Sequence, residues 1–168
     1  PVLAPETQAR LRAVLVPEAS VLNPVDMTAT ATADHYRRAL EVVASDPGVD
    51  AVIVIFLPPL RIPSEEVAAA IVDGARVANG LGKPVLSVFI SSRGVPAELR
   101  RADVRVPSFA FPEDAAIALA HAVRYAHWRA RPPSDPPRFD DVRRDEAAAV
   151  VARALGQGGG WLGPAETW

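Results

Sequence analysis

A chain of 168 residues, about half of them apolar and with a formal net charge of −2, is long enough to bury one core and is expected to form one main domain. Cysteine is absent, which excludes disulfides, thiolate catalysis and sulfur-ligated metals, and the slight acidity leaves no electrostatic footprint for nucleic acid. The longest apolar run, Ala51 to Leu57, falls far short of the roughly 18 to 20 residues that span a bilayer, and no signal-like stretch opens the chain, so the cytoplasm is the expected location.

In chain order, Pro1 stands where an initiating Met is usual, so the sequence reads as a piece cut from something longer. Pro1-Val2-Leu3 has the character of a strand tail. Pro5 to Leu15 reads as a short helix with Leu11, Val14 and Leu15 inward and Pro17 ending it. The polar loop Asn23-Pro24-Val25-Asp26-Met27-Thr28 follows, and Thr32 then caps a helix that runs to about Ser45 with Tyr36, Leu40 and Val43 on one face. Ala51 to Leu57 is a continuous apolar, β-branched run with no polar alternation, as expected of a parallel strand covered on both faces.

Pro58-Pro59 closes that strand, and Ser64 is placed to cap the next helix, with Glu65 and Glu66 at its positive end. Small residues at Ala70, Gly74, Ala75 and Ala78 suit a helix lying close to the sheet. Asn79-Gly80-Leu81-Gly82 ends it, and Pro84 to Ile90 reads as a second buried strand with Ser91-Ser92-Arg93-Gly94 at its carboxyl end. Val95 to Arg101 is expected as a short helix, Val104 to Ala110 as a weaker strand pushed to the edge by Pro107, and Pro112 to about Arg129 as the last helix of the unit. Strand and helix alternate, so the class is α/β, doubly wound. Residues 131 to 141 are a proline-rich linker, and 142 to 168 form an Ala-rich amphipathic segment and a glycine break, too short for a core of their own and expected to open a second, truncated domain.

Chemistry-bearing groups are sparse. His35, His121 and His127 have no carboxylate or second histidine at metal spacing, so no metal site is expected and packing or surface roles are favoured. Gly158-Gly159-Gly160 lacks the Lys-Ser/Thr ending of a phosphate loop and reads as a linker turn. Arg93, Arg100, Arg101 and Arg105 read as a solvated face or a domain interface before they read as an anion site. The Asn23 to Thr28 loop has a plain structural account: Asn before Pro is extended, and Asp26 bonds backbone amides two residues on. No Ser-His-Asp, Cys-His or paired-carboxylate set appears, so the residues by themselves reach an α/β domain and leave its chemistry open.

An ordered set of segments goes further. Asn23-Pro24-Val25-Asp26-Met27-Thr28, then Asp34-x-Tyr36-Arg37-x-Ala39-Leu40, then Asp46-Pro47-x-Val49-Asp50 running into Ala51 to Pro59, resembles the acyl-CoA synthetases that form a nucleoside diphosphate. These are the ADP-forming acetate-CoA ligases, relatives of succinyl-CoA synthetase. Lys83-Pro84-Val85-Leu86, Phe111-Pro112-Glu113-x-Ala115 and Arg124-Tyr125-x-x-Trp128 continue the resemblance in order.

The resemblance implies a three-layer flavodoxin-like parallel sheet over residues 1 to 130, the second of two ligase domains, lacking its first strand and helix. The tail Gly160-Trp161-Leu162-Gly163-Pro164-Ala165-Glu166 resembles the start of an ATP-grasp region. The implied parent reaction is acid, CoA and ATP to acyl-CoA, ADP and phosphate, through an acyl phosphate and a phosphohistidine carried outside this chain. No catalytic residue is therefore expected here, and the piece alone is expected to be inert and to bind no cofactor. CoA, ATP or ADP and Mg2+ are implied for the parent, and its CoA-binding, phosphohistidine and ATP-grasp domains are the implied partners, with neither nucleic acid nor membrane. The loop is the one inherited site: the resemblance implies that Asn23 and Thr28 touch or shape the acyl or phosphoryl pocket, Asp26 holding the loop between Pro24, Val25 and Met27. A ligand-sensing module of an acetyltransferase fusion is the other reading. A missing first strand would expose a sheet edge, which invites a homodimer.

Overall fold

The computed structural model describes residues 1–58, 63–91, 94–100, 103–135, 137, 139 and 141–167. Pro59, Ser92, Arg93 and Arg101, and Pro136 and Arg138 of the proline-rich stretch, lie outside the described residues. The chain divides into two compact units, Pro1–Ala130 and Arg131–Trp168.

The first unit opens with α1 (Pro5–Val14), Pro5 sitting in the first turn, where its missing N–H costs nothing. Leu3, Leu11, Leu15 and Val21 are buried together with Ala39, Val42 and Val49. Pro1 to Leu3 takes no strand conformation, so the expected strand tail is absent there. Helix α2 (Ala33–Ala44) starts at a reciprocal cap in which Thr32 Oγ1 accepts the His35 N–H at 3.4 Å and His35 Nδ1 accepts the Thr32 N–H at 3.2 Å. His35 is thereby given a structural role. Arg37 pairs with Asp34 and Glu41 along the outer face of α2.

Strand β1 (Val52–Phe56), helix α3 (Ser64–Gly80), strand β2 (Val85–Phe89), a 3-10 turn (Ala97–Arg100), strand β3 (Ser108–Phe109) and helix α4 (Pro112–Arg129) complete the unit. The sheet of described strands is parallel, in the order β1-β2-β3, with Val52 opposite Val85 and Val88 opposite Phe109. This is the α/β arrangement expected from the alternation, three parallel strands flanked by helices. Pro107, which has no N–H to donate, sits immediately before the short edge strand β3.

Helices α2 and α3 share a core with one face, where Leu40, Phe56, Val67, Ile71, Val85 and Phe89 are buried. On the other face Leu86 and Val88 pack with Ala115 of α4. Three local expectations are corrected. Ser64 is the first helical residue rather than the cap; Pro63 takes the cap position and the buried Ser64 Oγ has no hydrogen-bond partner among the described residues. Gly74 permits close approach to α2 rather than to the sheet: a Cβ there would stand 2.8 Å from Leu40 Cδ2. Strand β1 is not covered on both faces, since Ile55 is 49% exposed.

In the second unit the helices among the described residues are α5 (Arg144–Gly156) and α6 (Pro164–Thr167). Neither buries a residue. Helix α6 is capped by Glu166, whose Oε2 accepts the Gly163 N–H at 2.9 Å.

Candidate functional site

The loop of residues 23 to 28 is closed at its base by an antiparallel bridge, Ser20 N–H to Asp26 O at 2.8 Å and Asp26 N–H to Ser20 O at 3.0 Å. The bridge presents Asn23 and Pro24 at an exposed tip. The Asn23-Pro24 peptide is cis. Asn23 Nδ2 donates to Pro1 O at 3.1 Å, and Asp26 Oδ1 accepts the Thr28 N–H at 2.9 Å, the two-residue reach expected of this loop. Thr28 stands at φ 64°, a left-handed conformation that a β-branched residue seldom takes, and its Oγ1 lies 2.8 Å from that of Thr30.

Beneath the loop runs an apolar groove of about 360 Å³. Asn23, Pro24, Val25 and Met27 line it, with Pro1 and Leu3 beside them, residues of α2 including Tyr36 and Leu40, and Val52 to Ile55 of β1. Asp26 and Thr28 are not among the lining residues. Four of the six loop residues therefore meet at one concavity, and the other two fix the loop's backbone.

Tyr36 is the lining residue whose place the sequence hid, because its helical spacing with Leu40 and Val43 marks it only as packing. Its ring meets that of Phe56 edge-on, centroids 5.5 Å apart, which puts the groove's upper end beside the carboxyl end of β1. Burial, and then the Asp26 carboxylate, push its hydroxyl up to about 12. Carboxyl ends of strands are where open α/β sheets take ligands.

The remaining candidates do not converge. His121 is on α4 and His127 is in its last turn. Among the described residues no group of three or more His, Cys, Asp or Glu is arranged to hold a metal. Arg100 and Arg105 are exposed. Gly158, Gly159 and Gly160 all take positive φ just after α5, as a turn requires. No helix among the described residues is long and apolar enough to cross a membrane.

No established protein-family description matches the sequence. Individual relatives do. An acetate–CoA ligase [ADP-forming] II subunit alpha from Pyrococcus furiosus is 35% identical over 130 residues, 74% of this chain and 28% of that protein. An acetate–CoA ligase [ADP-forming] I from Archaeoglobus fulgidus is 26% identical over 159 residues, 94% of this chain and 22% of the relative. Among solved structures, PH0766 from Pyrococcus horikoshii OT3 superimposes with a TM-score of 0.65 at 31% identity, over 75% of this chain and 29% of that one. The parallel sheet between helices thus has a solved counterpart of related sequence, which sets the class as a flavodoxin-like α/β domain of the succinyl-CoA synthetase kind. In sequence and fold the chain thus corresponds to a partial domain of the ADP-forming acetate–CoA ligases it matches. It spans about a quarter of the length of the curated relatives it matches.

Proposed function

We propose that this chain is a ligase domain of a nucleoside-diphosphate-forming acyl-CoA synthetase, inert by itself, whose parent converts acid, CoA and ATP to acyl-CoA, ADP and phosphate. The observation that carries the reading is the 35% identity over 130 residues to a protein named as an ADP-forming acetate–CoA ligase subunit. CoA, ATP or ADP and Mg2+ belong to the parent in this reading, with the acyl phosphate formed and the phosphohistidine carried on other domains in the cytoplasm. The relatives are named as ligases, which favours this chemistry over a ligand-sensing acetyltransferase module.

Within that reading the groove and its loop supply shape rather than proton transfer. Asn23, which lines the groove, offers an amide at the tip, and Thr28, outside the lining, offers a hydroxyl beside that of Thr30; both are neutral groups suited to an acyl or phosphoryl oxygen, and Asp26 fixes the backbone at Thr28. Residues 1–130 act as the ligase domain, 131–141 as a linker and 142–168 as the opening of an ATP-grasp region. The partners are the parent's CoA-binding, phosphohistidine and ATP-grasp domains; a homodimer through β1 is the competing use of the same surface.

The test is ATP formation from acyl-CoA, ADP and phosphate by the full-length parent, its Asn23→Ala and Thr28→Ala variants, and this chain alone. Turnover by the parent, a fall of tenfold or more in either variant and silence in the 168-residue chain are expected. A silent parent rejects the ligase reading, and variants with unchanged turnover reject the loop's part in it.

A further inference from the structure

We propose that the carboxyl-terminal half of α4 is a docking surface for an acidic amphipathic helix of a protein partner, whose apolar side chains meet Tyr125 and Trp128 and whose carboxylates meet Arg124 and Arg129. None of these four residues lines the groove beneath the loop, and the surface does not depend on the ligase reading.

Helix α4 is held to the sheet by its first half. Ala115 is buried, and Ala118 and Leu119 are half-buried beside it, against Leu86, Val88 and Phe109. From His121 to Arg129 every residue is exposed, over about 13 Å of helix. The outer face of a surface helix is ordinarily polar. Here it carries Tyr125 at 58% and Trp128 at 62% exposure. Their rings stack, with centroids 5.8 Å apart and planes 23° apart. The stack holds both side chains in one shared arrangement, so little of their freedom is left to lose on binding.

The spacing ties the charges to the rings. Arg124 precedes Trp128 by four residues and Arg129 follows Tyr125 by four, so each guanidinium neighbours one ring on the helix surface. No Asp or Glu occurs from Ala115 to Ser134, so neither arginine has a carboxylate one turn away. None of the ion pairs among the described residues takes either of them. On α2, by contrast, Arg37 is paired with Asp34 and Glu41, as befits a solvated helix face. The negative end of the helix dipole accounts for a basic residue in the last turn of α4. It does not account for an exposed indole and phenol set between two arginines.

Tryptophan, tyrosine and arginine are the side chains that dominate the energy of protein interfaces, and arginines without partners select a surface of opposite charge. Arg124 and Arg129 stand about 7.5 Å apart along the helix axis, near the roughly 6 Å between positions i and i+4 of a facing helix. Two carboxylates at that spacing, beside an apolar stripe, match this surface in charge and in period. A second copy matches less well, because pairing α4 with itself about a two-fold axis sets its arginines against their own kind. An anionic membrane would meet the same arginines, but it also needs aliphatic side chains that enter the acyl region. The position one turn before Tyr125 is His121.

The experiment measures the fluorescence anisotropy of a labelled, alanine-based helical peptide of about 18 residues, titrated with the 168-residue chain. One peptide carries a leucine stripe flanked by Glu pairs at i and i+4; a second carries Lys in place of each Glu. The Glu peptide should bind saturably, more weakly as salt is raised, and the Lys peptide should not bind. Trp128→Ala should weaken the Glu peptide about tenfold or more. Arg124→Glu combined with Arg129→Glu should exchange the preference, so that the Lys peptide binds instead. All three positions are exposed, so both variants should melt with the parent chain. The proposal is overturned by an absence of saturable binding, by equal binding of the two peptides, or by binding that survives both variants. It is overturned equally if the surface takes phosphatidylserine vesicles and not the Glu peptide, or if Trp128→Ala abolishes a self-association of the chain in place of peptide binding.

Discussion

Asp26 Oδ1 accepts the backbone N–H of Thr28 at 2.9 Å, and this bond closes the turn in which Thr28 stands at φ 64°. A β-branched residue in the left-handed region costs roughly 1 to 2 kcal/mol. Replacing Thr28 with glycine removes that cost and adds roughly 0.4 to 1 kcal/mol of unfolded-state freedom. Thr28→Gly should then leave the melting temperature of this chain unchanged or slightly raised, whereas Asp26→Ala, which releases the turn, should lower it. Thermal unfolding of the two variants checks the order; a Thr28→Gly protein less stable than Asp26→Ala would show that the threonine side chain, not the turn, holds the loop.

A second carboxylate ties the start of α1 to the turn that follows α2. Asp46, almost fully buried, accepts the Thr7 hydroxyl, the Ala4 N–H and the Gly48 N–H, the last two at 2.8 Å, while its own carbonyl takes Lys83 Nζ at 2.6 Å. The Thr7 bond first, then the two amides, hold the Asp46 carboxyl below its ordinary value of 3.8. With the folded value depressed, the folded state binds fewer protons than the unfolded one between the two values, so stability rises with pH there. The contribution is complete above the ordinary value and disappears as pH falls through the folded one. Asp46→Asn should melt below the parent chain at pH 7, and the gap should close on acidification below the ordinary carboxylate range. A gap independent of pH would mean that shape, and not charge, is what Asp46 supplies.

The two carboxylates also mark what the chain discloses and what it withholds. Asp26 has its partner two residues away, so the turn is local chemistry and legible. Asp46 reaches Ala4 across 42 positions, and nothing in the sequence pairs them. The helix starts at Thr32 and Pro112 and the apolar runs of β1 and β2 were readable for the same local reason. Composition does not disclose the open edge of β1, because Ala51 to Leu57 reads as a covered strand whether or not a neighbour is present; the resemblance alone, by implying a missing first strand, points to an exposed edge. Tyr36 packs against Phe56, as its helical spacing with Leu40 says, but its place on the groove depends on the loop folding back above it. The loop's six residues were singled out by resemblance, and their convergence on one concavity depends on the bridge between Ser20 and Asp26.

The contact between Gly74 and Leu40 sets the spacing of α2 and α3. A Cβ at Gly74 would lie 2.8, 3.0 and 3.1 Å from Leu40 Cδ2, Cγ and Cβ. The Cδ2 end can swing, but Cβ is fixed to the backbone, so a rotamer change alone does not relieve the overlap. Gly74→Ala gains up to about 1 kcal/mol of helix propensity and meets an overpacking cost of roughly 1 to 3 kcal/mol. Net destabilisation is expected by denaturant unfolding. Combining it with Leu40→Ala should cost less than the sum of the two single changes, and strict additivity would remove this contact as the reason for glycine.

The hydroxyls of Ser87 and Ser108 join β2 to β3 at 2.6 Å in a place where Ser87 is fully buried. Ser108 Oγ donates to Val106 O at 3.0 Å, which uses its only proton, so the proton between the serines belongs to Ser87. The pair is therefore directional, and its two deletions differ. Ser108→Ala leaves the Ser87 donor buried without an acceptor, a cost of roughly 1 to 3 kcal/mol. Ser87→Ala removes the donor itself and leaves Ser108 bonded to Val106, so the loss should stay near 1 kcal/mol or below. The double variant should resemble Ser87→Ala, being more stable than Ser108→Ala alone. Denaturant midpoints of the three proteins test the order, and equal losses from the two single changes would mean that the proton is shared or runs the other way.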